Sequence, residues 1–177
     1  MNNVHLSITL KELEIALKIR EAILDSDDAF IASSFNNIAL VYTELNDLSQ
    51  VYYYHSKIID IRLRTNSDHI GNSYSNMSST LLRMGKPDEA EETLARCPSL
   101  KDLKDETFLK TGNPRFSGDM VLLSRIRVQQ GRLDDVIRIS FKVLAFRQST
   151  LGNRLKTCDA LYLVASQLQR RGLKMYV

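Results

Sequence analysis

The chain has 177 residues, 44% hydrophobic and 25% charged, which is enough for one domain or one repeat array and argues against wholesale disorder. Its net charge of +3, from 24 basic and 21 acidic side chains, is too small to argue for nucleic acid, and no continuous basic stripe carries interleaved aromatics. Seven glycines and three prolines leave little punctuation for a many-stranded β fold, which favours helix.

The chain opens MNNVHLSITLKELEIALK, with charges scattered through its apolar stretch. That pattern fits neither a signal peptide nor a membrane anchor, and nowhere do eighteen apolar residues run together. The expectation is a cytoplasmic protein that does not enter a membrane. Residues 5–26 are predicted helical, with Leu13 and Ala16 at core positions.

Residues 34–47 read SFNNIALVYTELND, and residues 73–88, SYSNMSSTLLRMGKPD, echo them. Phe35, Ile38, Ala39 and Tyr42 are spaced i, i+3, i+4, i+7, as one buried helical stripe requires. The stripe recurs as Tyr74, Met77, Ser78 and Leu81, then Met120, Leu123, Ser124 and Arg127, then Leu161, Val164, Ala165 and Leu168. Its third member is small each time, which lets a neighbouring helix backbone come close. Each stripe ends at a residue that tolerates the left-handed conformation of a helix stop: Asn46, Gly85, Gly131 and Gly172, at intervals of 39, 46 and 41 residues. A second helix follows, with a recurring tail in ALKIR (16–20), IIDIR (58–62) and VLAFR (143–147). Each unit is therefore helix A, tight turn, helix B, and such units must stack to bury their apolar faces.

In the third unit Pro98 predicts a helix end near Cys97. The stretch after it is either a loop or a short extra helix over Lys101–Leu109, followed by the turn signal Gly112-Asn113-Pro114. Arg127 replaces the apolar residue of the other stripes; it either snorkels or pairs with Asp134 or Asp135. Cys97 and Cys158 lie 61 residues apart with no CxxC, which reads as two thiols rather than a disulfide framework or zinc site.

A repeat of this length also suits WD40, HEAT or armadillo arrays. WD40 fails for want of tryptophan and strand alternation. The small residue in helix A, the glycine stop and a small or β-branched residue five positions later (Val51, Ala90, Val136) form instead the tetratricopeptide signature, clearest in MGKPDEAEETLA (84–95). The chain resembles the longer, kinesin-light-chain-like tetratricopeptide repeats. TGNPRFSGDMVLLSRIRVQQGRLDD (111–135) further looks like the C-terminal arrays of large fungal tetratricopeptide proteins, many of which follow a nucleotide-binding switch domain.

The resemblance implies an all-α, right-handed α-solenoid of stacked antiparallel helix pairs. One array over 1–177 would divide into a partial repeat with helix B at 5–26, a repeat at 27–67, an irregular one at 68–112, another at 113–153, and a partial repeat at 154–177. The solitary end helices are either caps or the cut edges of a longer array. A helices line the concave side of such stacks, so Ser33, Asn36, Asn37, Leu40, Thr43 and Glu44 would face the groove. Their counterparts are Asn76, Ser79, Leu82 and Arg83, then Arg125 and Gln129, then Tyr162, Ser166 and Arg170. Asn37 and Asn76 match the helix-A position at which related grooves hold a peptide backbone. A carboxamide suits that task, since it donates and accepts. Leu122 and Leu163 stand there in the later repeats, and the alternative for both asparagines is a solvated helix surface.

No Gly-x-Ser-x-Gly, P-loop or HExxH motif appears, and neither His55 nor His69 has ligand spacing to a second site. No catalytic residue, metal ligand or cofactor is expected. The function expected is a non-enzymatic module that binds a protein or peptide partner. The alternative is a regulatory segment of a larger nucleotide-binding switch protein. RNA reading is disfavoured because the repeat length is not constant.

Overall fold

The structure, a computed structural model, describes residues 3–101 and 114–151 together with 162, 166 and 169. Among these, regular structure is helical throughout, without a strand. The chain forms two compact units, Met1–Lys86 and Pro87–Val177.

The first unit holds α1 (Asn3–Ile23), α2 (Ala29–Glu44), α3 (Leu48–Arg64) and α4 (Ile70–Arg83), each packed on the next. On α1 the buried stripe differs from the expected one. Leu6 and Leu17 are buried and Leu10 and Leu13 pack against the core, whereas Ala16 is exposed. Positions 6, 10, 13 and 17 recur at 3.6-residue spacing on one face, and residue 16 lies a third of a turn away from it.

The Asp28 carboxylate caps α2 by accepting from the Phe30 amide at 2.7 Å. At the other end Asn46 adopts φ +58°, its amide donates to the Thr43 carbonyl, and the Asp47 amide donates back to Tyr42. Gly85 closes α4 in the same way (φ +75°, with Gly85 donating to Leu82 and Lys86 to Leu81). Asp47 then caps α3, accepting from the Gln50 amide at 3.1 Å, so one residue ends one helix and starts the next. Asn66, at φ +47°, supplies a further left-handed stop after α3 that the repeat pattern did not single out.

The repeated small positions lie where helices meet. Ala39 and Ser78 are no more than 1% exposed. Ile38, Ile58 and Ile61 close the core around Ile31 and Ala32, and Val51 of α3 is buried as well. One further position is buried in every described A helix, held by Val41, Thr80 and Ile126. It lies three residues beyond the second stripe member and so belongs to the same face.

The second unit contains α5 (Pro87–Leu94), α6 (Pro98–Lys101), α7 (Pro114–Gln129) and α8 (Leu133–Leu151). Pro87 starts α5, where its missing amide costs nothing, and Asp88 and Glu89 complement the positive end of the helix dipole. α5 ends at Leu94, ahead of Pro98 as expected, and Cys97 is buried as a thiol. A short helix begins at Pro98, since a proline that ends one helix is also a good first residue for another; the helix expected over Lys101–Leu109 lies, beyond Lys101, outside the described residues. Positions 102–113, Cys158, Gly172 and the stripe at Leu161, Val164, Ala165 and Leu168 lie outside the described residues.

Gly131 (φ +72°) stops α7 and repeats the cap of α2 and α4. Val136, Ile139, Val143 and Phe146 form the buried stripe of α8, and the Ser124 and Ser140 hydroxyls meet at 3.4 Å between α7 and α8. Arg127 pairs with Glu91 of α5, a partner not anticipated from the sequence, while Asp135 takes Arg132 and Arg138. No helix among the described residues is long and apolar enough to cross a membrane.

Candidate functional site

Two equivalent clasps set the angle at which each A helix leaves the preceding B helix. Arg20 of α1 donates from Nη1 to the Phe30 carbonyl at 3.1 Å and to the Ser34 hydroxyl at 2.6 Å. Arg62 of α3 does the same to the His69 carbonyl at 3.0 Å and the Ser73 hydroxyl at 2.7 Å. These are the arginines that end the recurring tails, each reaching a buried serine one residue ahead of the A-helix stripe. A charged donor shared between a backbone carbonyl and a hydroxyl makes a directional joint.

With α2 and α4 so placed on either side of α3, a cleft of about 360 Å³ opens between them. Ser33, Asn36 and Asn37 line it from α2, Asn72 and Asn76 from α4, and Arg62 from α3. A second cavity of about 170 Å³ continues it, sharing Asn36 and Asn76 and adding Leu40, Ser79, Arg83 and the buried His55. Seven of the ten residues singled out from the sequence therefore come together: Ser33, Asn36, Asn37, Leu40, Asn76, Ser79 and Arg83. Glu44 is exposed on α2, one turn past Leu40, and lines neither cavity. Arg125 and Gln129 are exposed on α7, in the other unit. Leu82, expected at the groove, is instead buried, as is Leu122. Tyr162 is exposed and Ser166 half-buried; Arg170 and Leu163 lie outside the described residues.

Four polar lining residues, Asn72, Thr80, Arg62 and His55, were not assigned to the groove by the sequence reading. Asn72 could have been found, since it sits one helical turn before Asn76 on the same face. Arg62 and His55 belong to a B helix, and only the packing of α3 behind α2 and α4 brings them to the cleft.

The polar groups here divide into committed and free. The Thr43 and Thr80 hydroxyls donate to the carbonyls of Ala39 and Asn76 one turn back, and Ser33 donates to Ala29. Arg83 donates from Nη2 to the Asn46 side chain at 3.0 Å, tying the end of α4 to the turn after α2. By contrast the carboxamides of Asn36, Asn37, Asn72 and Asn76 have no hydrogen-bond partner among the described residues. His55 likewise has none, and burial, then the nearby Arg62 charge, lowers its pKa to about 4. It is a neutral imidazole at pH 7. No carboxylate lines either cavity, and no group of three His, Cys, Asp or Glu side chains among the described residues is arranged to hold a metal. The cleft offers paired donors and acceptors beside two arginines.

No family model and no curated protein sequence matches the chain. Solved structures do. Two crystal structures from Podosopora anserina, of the nearly identical TPR-like repeats of a candidate kinesin light chain, superimpose on 96% of this chain. One, a point variant, has a TM-score of 0.78 over 80% of its own length; the other has 0.76 over 81%, both at 16% sequence identity. The fold is tetratricopeptide-like. The kinesin-light-chain-like resemblance read from the repeats is thus borne out at the level of fold, all-helical and matching TPR-like repeat structures.

Proposed function

We propose that this TPR-like chain is a non-catalytic interaction module and that the α2–α4 cleft receives an extended peptide segment of a partner protein. One observation carries the reading: four carboxamides without hydrogen-bond partners, from Asn36, Asn37, Asn72 and Asn76, line a single cleft. Each presents a donor and an acceptor, the complement of a peptide bond, so they hold a backbone whatever its side chains. Leu40 in the adjoining cavity supplies apolar contact, and Arg62 and Arg83 add charged donors to the lining.

The test is affinity capture by the intact protein and by an Asn37→Ala/Asn76→Ala double variant, with helicity compared by circular dichroism. Two lost hydrogen bonds weaken a ligand by about tenfold or more. A partner retained equally by both proteins would place the site elsewhere.

A further inference from the structure

Helix α1 is apolar on two opposite faces. On one, Leu6 and Leu17 are buried and Leu10 and Leu13 pack against the core that Ile31, Ala32 and Ile38 of α2 help to form. About half a turn away stand Val4, Ile8, Ile15, Ile19 and Ile23, 50–72% exposed. No other helix leaves so many large hydrophobic side chains in solvent among the described residues. The inner row is all leucine and the outer row all β-branched. Isoleucine and valine slightly disfavour an exposed helix, so local helix formation gives no reason for the outer row.

That row has the regularity of a packing surface. Val4 and Ile8 recur eleven residues on as Ile15 and Ile19. Eleven residues are close to three helical turns, so the row runs nearly straight and a second straight helix can follow it throughout. The five side chains present on the order of 500 Å² of apolar surface, the size of the largest patch an ordinary monomer carries. Pairing two such faces buries roughly 1,000 Å² in total, the area at which a specific interface begins.

The borders of the row indicate what covers it. Lys11 and Glu12 are both exposed, and neither has an ion-pair partner among the described residues. Consecutive helical residues diverge by about 100°, so the two flank the row on opposite sides at nearly the same height. A parallel two-fold brings the left border of one helix to the right border of the other. Each Lys11 then faces the Glu12 of the second copy, and the pair forms twice. An antiparallel two-fold centred on the row instead sets Glu12 against its own copy and Lys11 against Lys18, which repel.

We propose that the outer face of α1 is a homodimer interface, in which two copies of the chain pair their α1 helices in parallel through Val4, Ile8, Ile15, Ile19 and Ile23. Two reciprocal Lys11–Glu12 pairs fix the direction. The interface uses the side of α1 turned away from α2 and is independent of the asparagine cleft.

Sedimentation equilibrium of the intact protein, from low micromolar to several hundred micromolar, should show a monomer–dimer equilibrium. Ile15→Glu is expected to weaken association at least tenfold at unchanged helicity, whereas Leu63→Glu, at an exposed apolar position of α3, should leave it unaltered. Lys11→Glu should weaken the dimer several-fold at low salt, and Lys11→Glu/Glu12→Lys should restore it. On oxidation of Ile15→Cys, peptide mapping should find position 15 bridged to position 15 of the second copy. A monomer throughout the range, which would leave the face to a different helix, overturns the proposal. So does a dimer untouched by Ile15→Glu, or one that Lys11→Glu strengthens.

Discussion

The Arg62 guanidinium on α3 donates to the Ser73 hydroxyl on α4 at 2.7 Å, and Arg20 and Ser34 repeat the relationship between α1 and α2 at 2.6 Å. Ser73 is 2% exposed, so removing its partner strands a buried hydroxyl as well as a carbonyl. Arg62→Ala is expected to cost about 2 kcal/mol, read as a lower urea midpoint. Arg62→Lys should recover little, since one nitrogen on a flexible stem does not hold the fork geometry. A lysine variant as stable as the parent would show the clasp to be charge alone.

His55 makes stability depend on pH. Its folded pKa of about 4 lies below the usual 6.5, so between these values the unfolded chain binds the proton and the folded chain does not. The contribution is complete above pH 6.5, is lost progressively as pH falls toward 4, and amounts to about 3 kcal/mol. Urea midpoints at pH 7 and pH 5 should differ clearly in the parent and much less in His55→Gln. An equal drop in both proteins would assign the slope to other groups.

The ion pair of Arg127 and Glu91 has side chains only 14% and 27% exposed, and the Arg127 Nε is buried without a hydrogen bond. Gln130 adds hydrogen bonds to Asp88 at 2.8 Å and Glu91 at 2.9 Å, so α5 is tied to α7 through polar groups. Glu91→Ala leaves a largely buried cation and is expected to cost about 2–4 kcal/mol. Replacing both partners, Arg127→Leu with Glu91→Leu, removes the two charges together and should be neutral or stabilising. Thermal unfolding of Glu91→Ala and of the double variant separates these expectations.

The helical architecture was legible because it is written locally. The stripe from Phe35 to Tyr42 and its copies at Tyr74 and Met120 mark a buried face, and Asn46, Gly85 and Gly131 mark the stops where the backbone turns left-handed. Both signals depend on residues within two helical turns of one another, so spacing alone reveals them. On α2 and α4 the same periodicity also identified the face that carries Asn36, Asn37 and Asn76.

Spacing could not tell that Arg62 and His55 of α3 reach the cleft, that Arg127 would choose Glu91 across 36 residues, or that the Phe35 and Tyr42 rings of α2 would pack on Tyr54 of α3. Those relations join segments far apart in the chain. Amphipathic period and stop residues are properties of one helix, and the amino-acid order determines them outright. Which side chains of different helices meet depends on crossing angle and axial offset, and these are decided only when the helices pack.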